Sequence, residues 1–96
     1  MSSSFQERMK TLRQAFAASL EPDVEEALRL LRADDRQAAA ALIHQIAGRA
    51  GTFGAPLVSE TASRIEHVIA HASLVELEAA FADLLEASGA AVERQP

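Results

Sequence analysis

Cysteine, tryptophan and tyrosine are all missing from the 96 residues. Without cysteine there can be no disulfide and no thiolate metal site, which fits a reducing compartment. Aromatic side chains make up 4% of the chain while apolar residues make up 49%, so Ala and Leu have to fill the interior. That composition points to closely packed helices rather than a sheet. A basic stripe is lacking too: the net charge is −5, the opposite of what a nucleic-acid binder presents. The opening MSSSFQERMK has no apolar h-region, and no apolar run reaches membrane length. A cytoplasmic protein with no membrane contact is therefore expected. There is no P-loop, no dinucleotide-binding glycine pattern, no nucleophile elbow and no Asp–His–Ser order around Ser59, Thr61 and Ser63.

What is present reads as helices along the whole length, which suits a single domain over 1–96. Ser2 to Ser4 read as a frayed tail, with Ser4 as N-cap and Glu7 completing a capping box. Phe5, Met9, Leu12, Phe16 and Leu20 mark one face of a first helix. Glu21-Pro22 interrupts it, because proline lacks a donor and fits best in a first turn. The segment from Asp23 to Arg32, burying Val24, Leu28 and Leu31, is either a kinked continuation or a separate short helix. Asp34 and Asp35 form the next break and either can cap the central helix, with Asp34 and Gln37 at capping-box spacing. The central helix runs to about Thr52, with Gly54 as a left-handed C-cap and Pro56 beyond it. A third helix from about Pro56 to His71 buries Leu57 or Val58, Ala62, Ile65, Val68 and Ile69. Ser73 and Glu76 open a fourth, with Leu74, Leu77, Phe81, Leu84, Leu85 and Val92 on its apolar side. Short connections make consecutive helices antiparallel neighbours, so the expected fold is an all-α, up-down four-helix bundle.

The stretch Ala38 to Gly54, AAAALIHQIAGRAGTFG, organises the rest. Ala39, Ile43, Ile46, Ala50 and Phe53 fall in one sector, with Leu42 at its edge. His44 points away from that sector, among Ala40, Ala41, Ala47, Gly48 and Gly51. Exposed helix faces ordinarily carry Glu, Lys and Arg. Two interior glycines, each costing about 1 kcal/mol against alanine, call for a reason. An imidazole on a bare stripe is what a large partner needs in order to reach it.

The pattern H-x-I-x-G-x-A-x-x-F-G, here His44, Ile46, Gly48, Ala50, Phe53 and Gly54, resembles the signature of histidine-containing phosphotransfer (HPt) domains. Ile65-Glu66 on the next helix matches the apolar-Glu step that usually ends the family's motif. The resemblance implies a phosphocarrier, not an enzyme, that passes a phosphoryl group between His44 and aspartates of response-regulator receiver domains in two-component signalling, with a hybrid histidine kinase as a further partner. It implies that Glu66 accepts a hydrogen bond from the imidazole nitrogen that does not react. It also implies that the receiver brings the acidic pocket, Mg²⁺ and a lysine, so this chain needs no cofactor. The docking surface is then Ala40, Ala41, Ala47, Gly48, Gly51 and Arg49, on a monomer. Many family members carry a lysine three residues after the histidine, where this chain has Ala47. Arg49, the nearest cation, lies roughly 140° around the helix from His44.

Two other readings compete. The bundle could bind receivers without being phosphorylated, which Ala47 in place of lysine favours. Alternatively, His67 and His71, four apart on a helix, could hold a metal with Glu60 or Glu78 nearby; the dipole at a helix C-terminus explains these histidines more simply. Arg36, Arg49 and Arg64 read as solvated cations that could also meet an acidic partner or phosphoryl oxygens.

Overall fold

Strong helix formers separated by tight, well-capped turns leave few alternatives to a bundle. The computed structural model describes residues 2–94, and they form α1 (Ser2–Arg32), α2 (Arg36–Thr52), α3 (Pro56–Val68) and α4 (Leu74–Glu93), with no strand among them. α1 packs against α2 and α4, α3 packs against the same two, and the diagonal pairs are not neighbours. This is the expected up-down four-helix bundle.

Each turn is closed by its own hydrogen bonds. At the end of α1, Asp34 sits at φ 63° while its N–H and that of Asp35 donate to the carbonyls of Leu31 and Leu30 at 3.0 and 2.9 Å, a Schellman closure. Asp35, not Asp34, then caps α2: its side chain accepts from the N–H of Ala38 at 3.1 Å. Asp34 is unavailable as a cap because it is the left-handed residue of the preceding helix end. Gly54 is left-handed as expected, φ 78°, with the Ala55 N–H donating to the Ala50 carbonyl at 2.8 Å. Pro56 occupies the first turn of α3, and the Ser73 side chain caps α4 by accepting from the N–H of Glu76.

The core is one interdigitated stripe from each helix: Phe16, Leu20, Val24, Ala27 and Leu31 from α1; Ala39, Ile43, Ile46 and Ala50 from α2; Val58, Ala62, Ile65 and Ile69 from the α3 region; Leu77, Phe81 and Leu84 from α4. Each of the larger side chains contributes about 1.5–3 kcal/mol by leaving water.

Four expectations change. α1 is continuous through Pro22, so neither a split nor a separate short helix is present. Ala18 and Pro22 both face outward, where water can satisfy the carbonyl that proline leaves unpaired, while Leu20 and Val24 hold both sides of that point in the core. α1 also includes Ser2 through Ser4, so Ser4 is not a cap. α3 ends at Val68, with Ile69 as its C-cap and His71 in the following turn. Finally, the side chains of Phe5, Leu12, Val68 and Leu74 are exposed, while of the alternatives Leu57 and Val58 it is Val58 that is buried.

Candidate functional site

The rotation of α2 is set by Ile43 and Ile46, both buried in the core. His44, between them in sequence, is consequently turned outward, its side chain 73% exposed. α3 runs antiparallel alongside and brings Glu66 to it: Nδ1 of His44 lies 2.6 Å from Oε2 of Glu66. A carboxylate only accepts, so Nδ1 carries the proton and donates. The lone pair of the neutral ring is then on Nε2, at the exposed tip. The two residues singled out as phosphoacceptor and orienting partner are thus neighbours in space.

The α2–α3 seam is tied on either side of this pair. Nη1 of Arg36, at the start of α2, donates to the carbonyls of Ile69 and Ala72 at 2.8 and 2.7 Å. A guanidinium there satisfies orphan acceptors at the C-terminal end of α3 and complements its dipole. Arg36 is therefore not the solvated cation expected from sequence. Towards the other end of the seam, the Ser59 hydroxyl donates to the Ala47 carbonyl at 3.1 Å. Neither tie was legible in the sequence, since an arginine in a first helical turn or a serine on a helix carries no distinctive spacing.

The stripe beside His44 divides. Ala41, Gly48 and Gly51 are exposed and Ala40 is half-buried. Ala47 is not part of the open surface: it is 8% exposed, because it stands one turn from both Ile43 and Ala50 and α3 passes over it. At Gly48, one turn beyond His44, an added Cβ would meet nothing within 4 Å. The bundle itself therefore does not demand glycine there. At Gly51 a Cβ would meet only the Ser59 hydroxyl, at 3.6 Å, an ordinary contact. Arg49 turns away from His44 towards α1, its Nη1 3.4 Å from Oδ2 of Asp23.

Two residues of the metal reading, His67 and Glu78, are engaged elsewhere. His67 donates from Nδ1 to the Ser63 carbonyl at 2.8 Å, and His71 lies beyond the helix end. Arg32 grips Glu78 through two hydrogen bonds of 2.9 and 2.7 Å, which hold its carboxyl below the usual carboxylate range. Among the described residues no three His, Cys, Asp or Glu side chains gather where they could hold a metal ion. No described helix is long and apolar enough to cross a membrane.

A family model described as "Hpt domain" matches residues 11–95, which takes in all of α2, α3 and α4 and most of α1. No match is found among curated proteins or among solved structures.

Proposed function

The chain belongs to the Hpt domain family, and from that premise we propose that it is a phosphocarrier whose His44 exchanges a phosphoryl group with the aspartate of a response-regulator receiver domain. The observation that carries this reading is the His44–Glu66 pair: one nitrogen held by a carboxylate at 2.6 Å, the other free at the end of a mostly exposed ring.

The chemistry follows from that arrangement. The Nε2 lone pair attacks the phosphorus of an aspartyl phosphate from the side opposite the acyl oxygen. As the N–P bond forms, the P–O bond breaks and the receiver's carboxylate leaves with the electron pair. The imidazole acquires positive charge, and Glu66, still accepting from Nδ1, stabilises it. Return of the group to a receiver aspartate is the same path reversed. Transfer of this kind depends on in-line positioning and on stabilising charge at the phosphoryl oxygens. In this reading the receiver contributes the Mg²⁺ and the lysine, as the family resemblance implies, and the meeting takes place in the cytoplasm.

The docking surface is the open part of the stripe, the exposed Ala41, Gly48 and Gly51 with the half-buried Ala40 beside them, with Ala47 behind it as packing and Arg49 directed elsewhere. A flat surface of small side chains lets a receiver bring its aspartate close to Nε2. The test is to mix the protein with a phosphorylated receiver and follow the phosphoryl group on both chains. Label should leave the receiver and appear here, acid-labile and alkali-stable. A stable complex with no label on this chain would instead identify a receiver-binding module that is not phosphorylated.

A further inference from the structure

α1 is longer than the bundle it belongs to. The rings of Phe16 and Phe53 lie 5.6 Å apart, and Phe53 is the C-cap of α2. Residues before Phe16 therefore run past the end of α2 and the start of α3. From Ser4 to Arg13 this overhang spans about 15 Å, and the molecule measures 50 Å along its long axis against 21 and 18 Å across. On the overhang Phe5 is 59% and Leu12 50% exposed, and Met9 between them is half-buried. Positions i, i+4 and i+7 are the anchors of a helix that lies in another protein's groove. Arg8 and Arg13 flank this stripe, each roughly 70° from its centre, so their stems can cover its edges while their heads meet anions. Three of the nine Lys and Arg residues fall before Phe16, but only one of the fourteen Asp and Glu residues does. The overhang is basic and the body is acidic.

A complementary surface lies at the same end of the bundle. A cavity of about 90 Å³ opens there between α1, α3 and α4, with Leu20 and Ala87 in its lining and Leu57, Ala90 and Ala91 beside them. It continues into the α3–α4 seam, where Leu57, Ala87 and Ala90 recur beside Asp83 and Glu86, with Arg64 on the same rim. Leu57 is 55% exposed, and the run of alanines lets another helix approach closely. One chain thus carries both a basic apolar ridge and an apolar groove whose α4 edge presents Asp83 and Glu86, with Arg64 and Arg94 elsewhere on its lining.

We propose that a second copy of this chain covers both. In an isologous two-fold pair each overhang lies across its partner's groove, with Phe5, Met9 and Leu12 over Leu57 and Ala90, and Arg8 and Arg13 facing Asp83 and Glu86. Pairing the overhangs with each other would set Arg8, Lys10 and Arg13 of both copies together. An anionic lipid surface would attract the overhang but repel the acidic body. The proposal departs from the monomer expected from sequence, and it is independent of the His44 reading, since it uses none of the residues at that site.

Sedimentation equilibrium on the full chain tests it, from about 1 µM to about 1 mM so as to bracket moderate and weak association. The mass should rise from 10.3 kDa towards that of a dimer. Leu12→Glu should weaken dimerisation by about tenfold or more with helicity and melting unchanged, because Leu12 is exposed in the single copy. The chain carrying Arg8→Glu and Arg13→Glu, and the chain carrying Asp83→Lys and Glu86→Lys, should each dimerise weakly alone and recover when mixed. A monomer at every concentration overturns the proposal, as does a dimer indifferent to Leu12→Glu. A dimer broken by Leu12→Glu but not restored in the mixture overturns the groove as receptor. A monomer that floats with phosphatidylglycerol vesicles, and loses them on Leu12→Glu, assigns the overhang to lipid instead.

Discussion

Nδ1 of His44 and Oε2 of Glu66 meet at 2.6 Å across the seam between α2 and α3, and this contact decides which end of the imidazole is free. In the neutral ring the Nδ1–H tautomer should dominate, and ¹⁵N chemical shifts of the ring report it directly. Glu66→Ala should shift the ring towards a mixture of tautomers and slow phosphoryl transfer by about tenfold to a hundredfold, the size of one hydrogen bond to a charged group. Glu66→Gln keeps an acceptor but removes the charge, and its rate should fall between the two. Equal rates for all three would remove Glu66 from the chemistry.

Gly48 separates the needs of the fold from those of the site. Gly48→Ala meets no neighbour and should raise stability by about 1 kcal/mol through helix propensity alone. Gly48→Leu should keep most of that gain but slow transfer strongly, because its side chain lies one turn from His44 on the approach to Nε2. Urea midpoints and transfer rates measured on the same samples check both halves. A Gly48→Leu protein that transfers at the wild-type rate contradicts the steric role.

Position 47 and Arg49 behave differently from what the family pattern suggests. Restoring a lysine at the buried Ala47 forces a long stem out through packed surroundings and should cost about 1–3 kcal/mol. It therefore does not simply add a cation to the site. Arg49→Ala should leave both the transfer rate and the lifetime of phospho-His44 unchanged, because Arg49 points to Asp23. Its effect on stability should stay within about 1 kcal/mol, as for other exposed ion pairs. A shortened phosphohistidine lifetime in Arg49→Ala would show that the arginine swings over to the phosphoryl group.

Asp34 holds a left-handed conformation, φ 63°, at the turn that feeds α2. Asp34→Gly relieves that cost and should stabilise the protein by about 0.5 kcal/mol, while a β-branched Asp34→Val should destabilise it by about 1 kcal/mol or more. Thermal melts decide; a Val variant as stable as wild type would mean that the turn is free to change shape.

Much of this was legible in the sequence because the signals were periodic or came from turn chemistry. Ile43, Ile46 and Ala50 fixed the inner face of α2, and so the outward direction of His44. Gly54 and Pro56 marked the second turn. Pro22 left a continued helix and a separate short one open. The continuation holds because a local breaking preference is weaker than the packing of Leu20 and Val24 on either side, with the orphan carbonyl open to water. Asp34 and Asp35 could not be ranked as caps without the Schellman bonds that commit Asp34 to the preceding helix. Ala47 looked exposed because angular position on one helix says nothing about where the next helix crosses it. The ties from Arg36 and Ser59 join residues far apart in the chain, and no spacing announces them.

The central claim is that Nε2 of His44 carries the phosphoryl group. After exchange with a phosphorylated receiver, the protein labelled with ¹⁵N at histidine can be followed by ¹⁵N–³¹P coupling. We expect one phosphohistidine, at residue 44, coupled through Nε2 with Nδ1 still protonated, and none in the His44→Gln protein, whose helicity and melting should match wild type. Phosphorylation at His67 or His71, or at Nδ1 of His44, would contradict the claim.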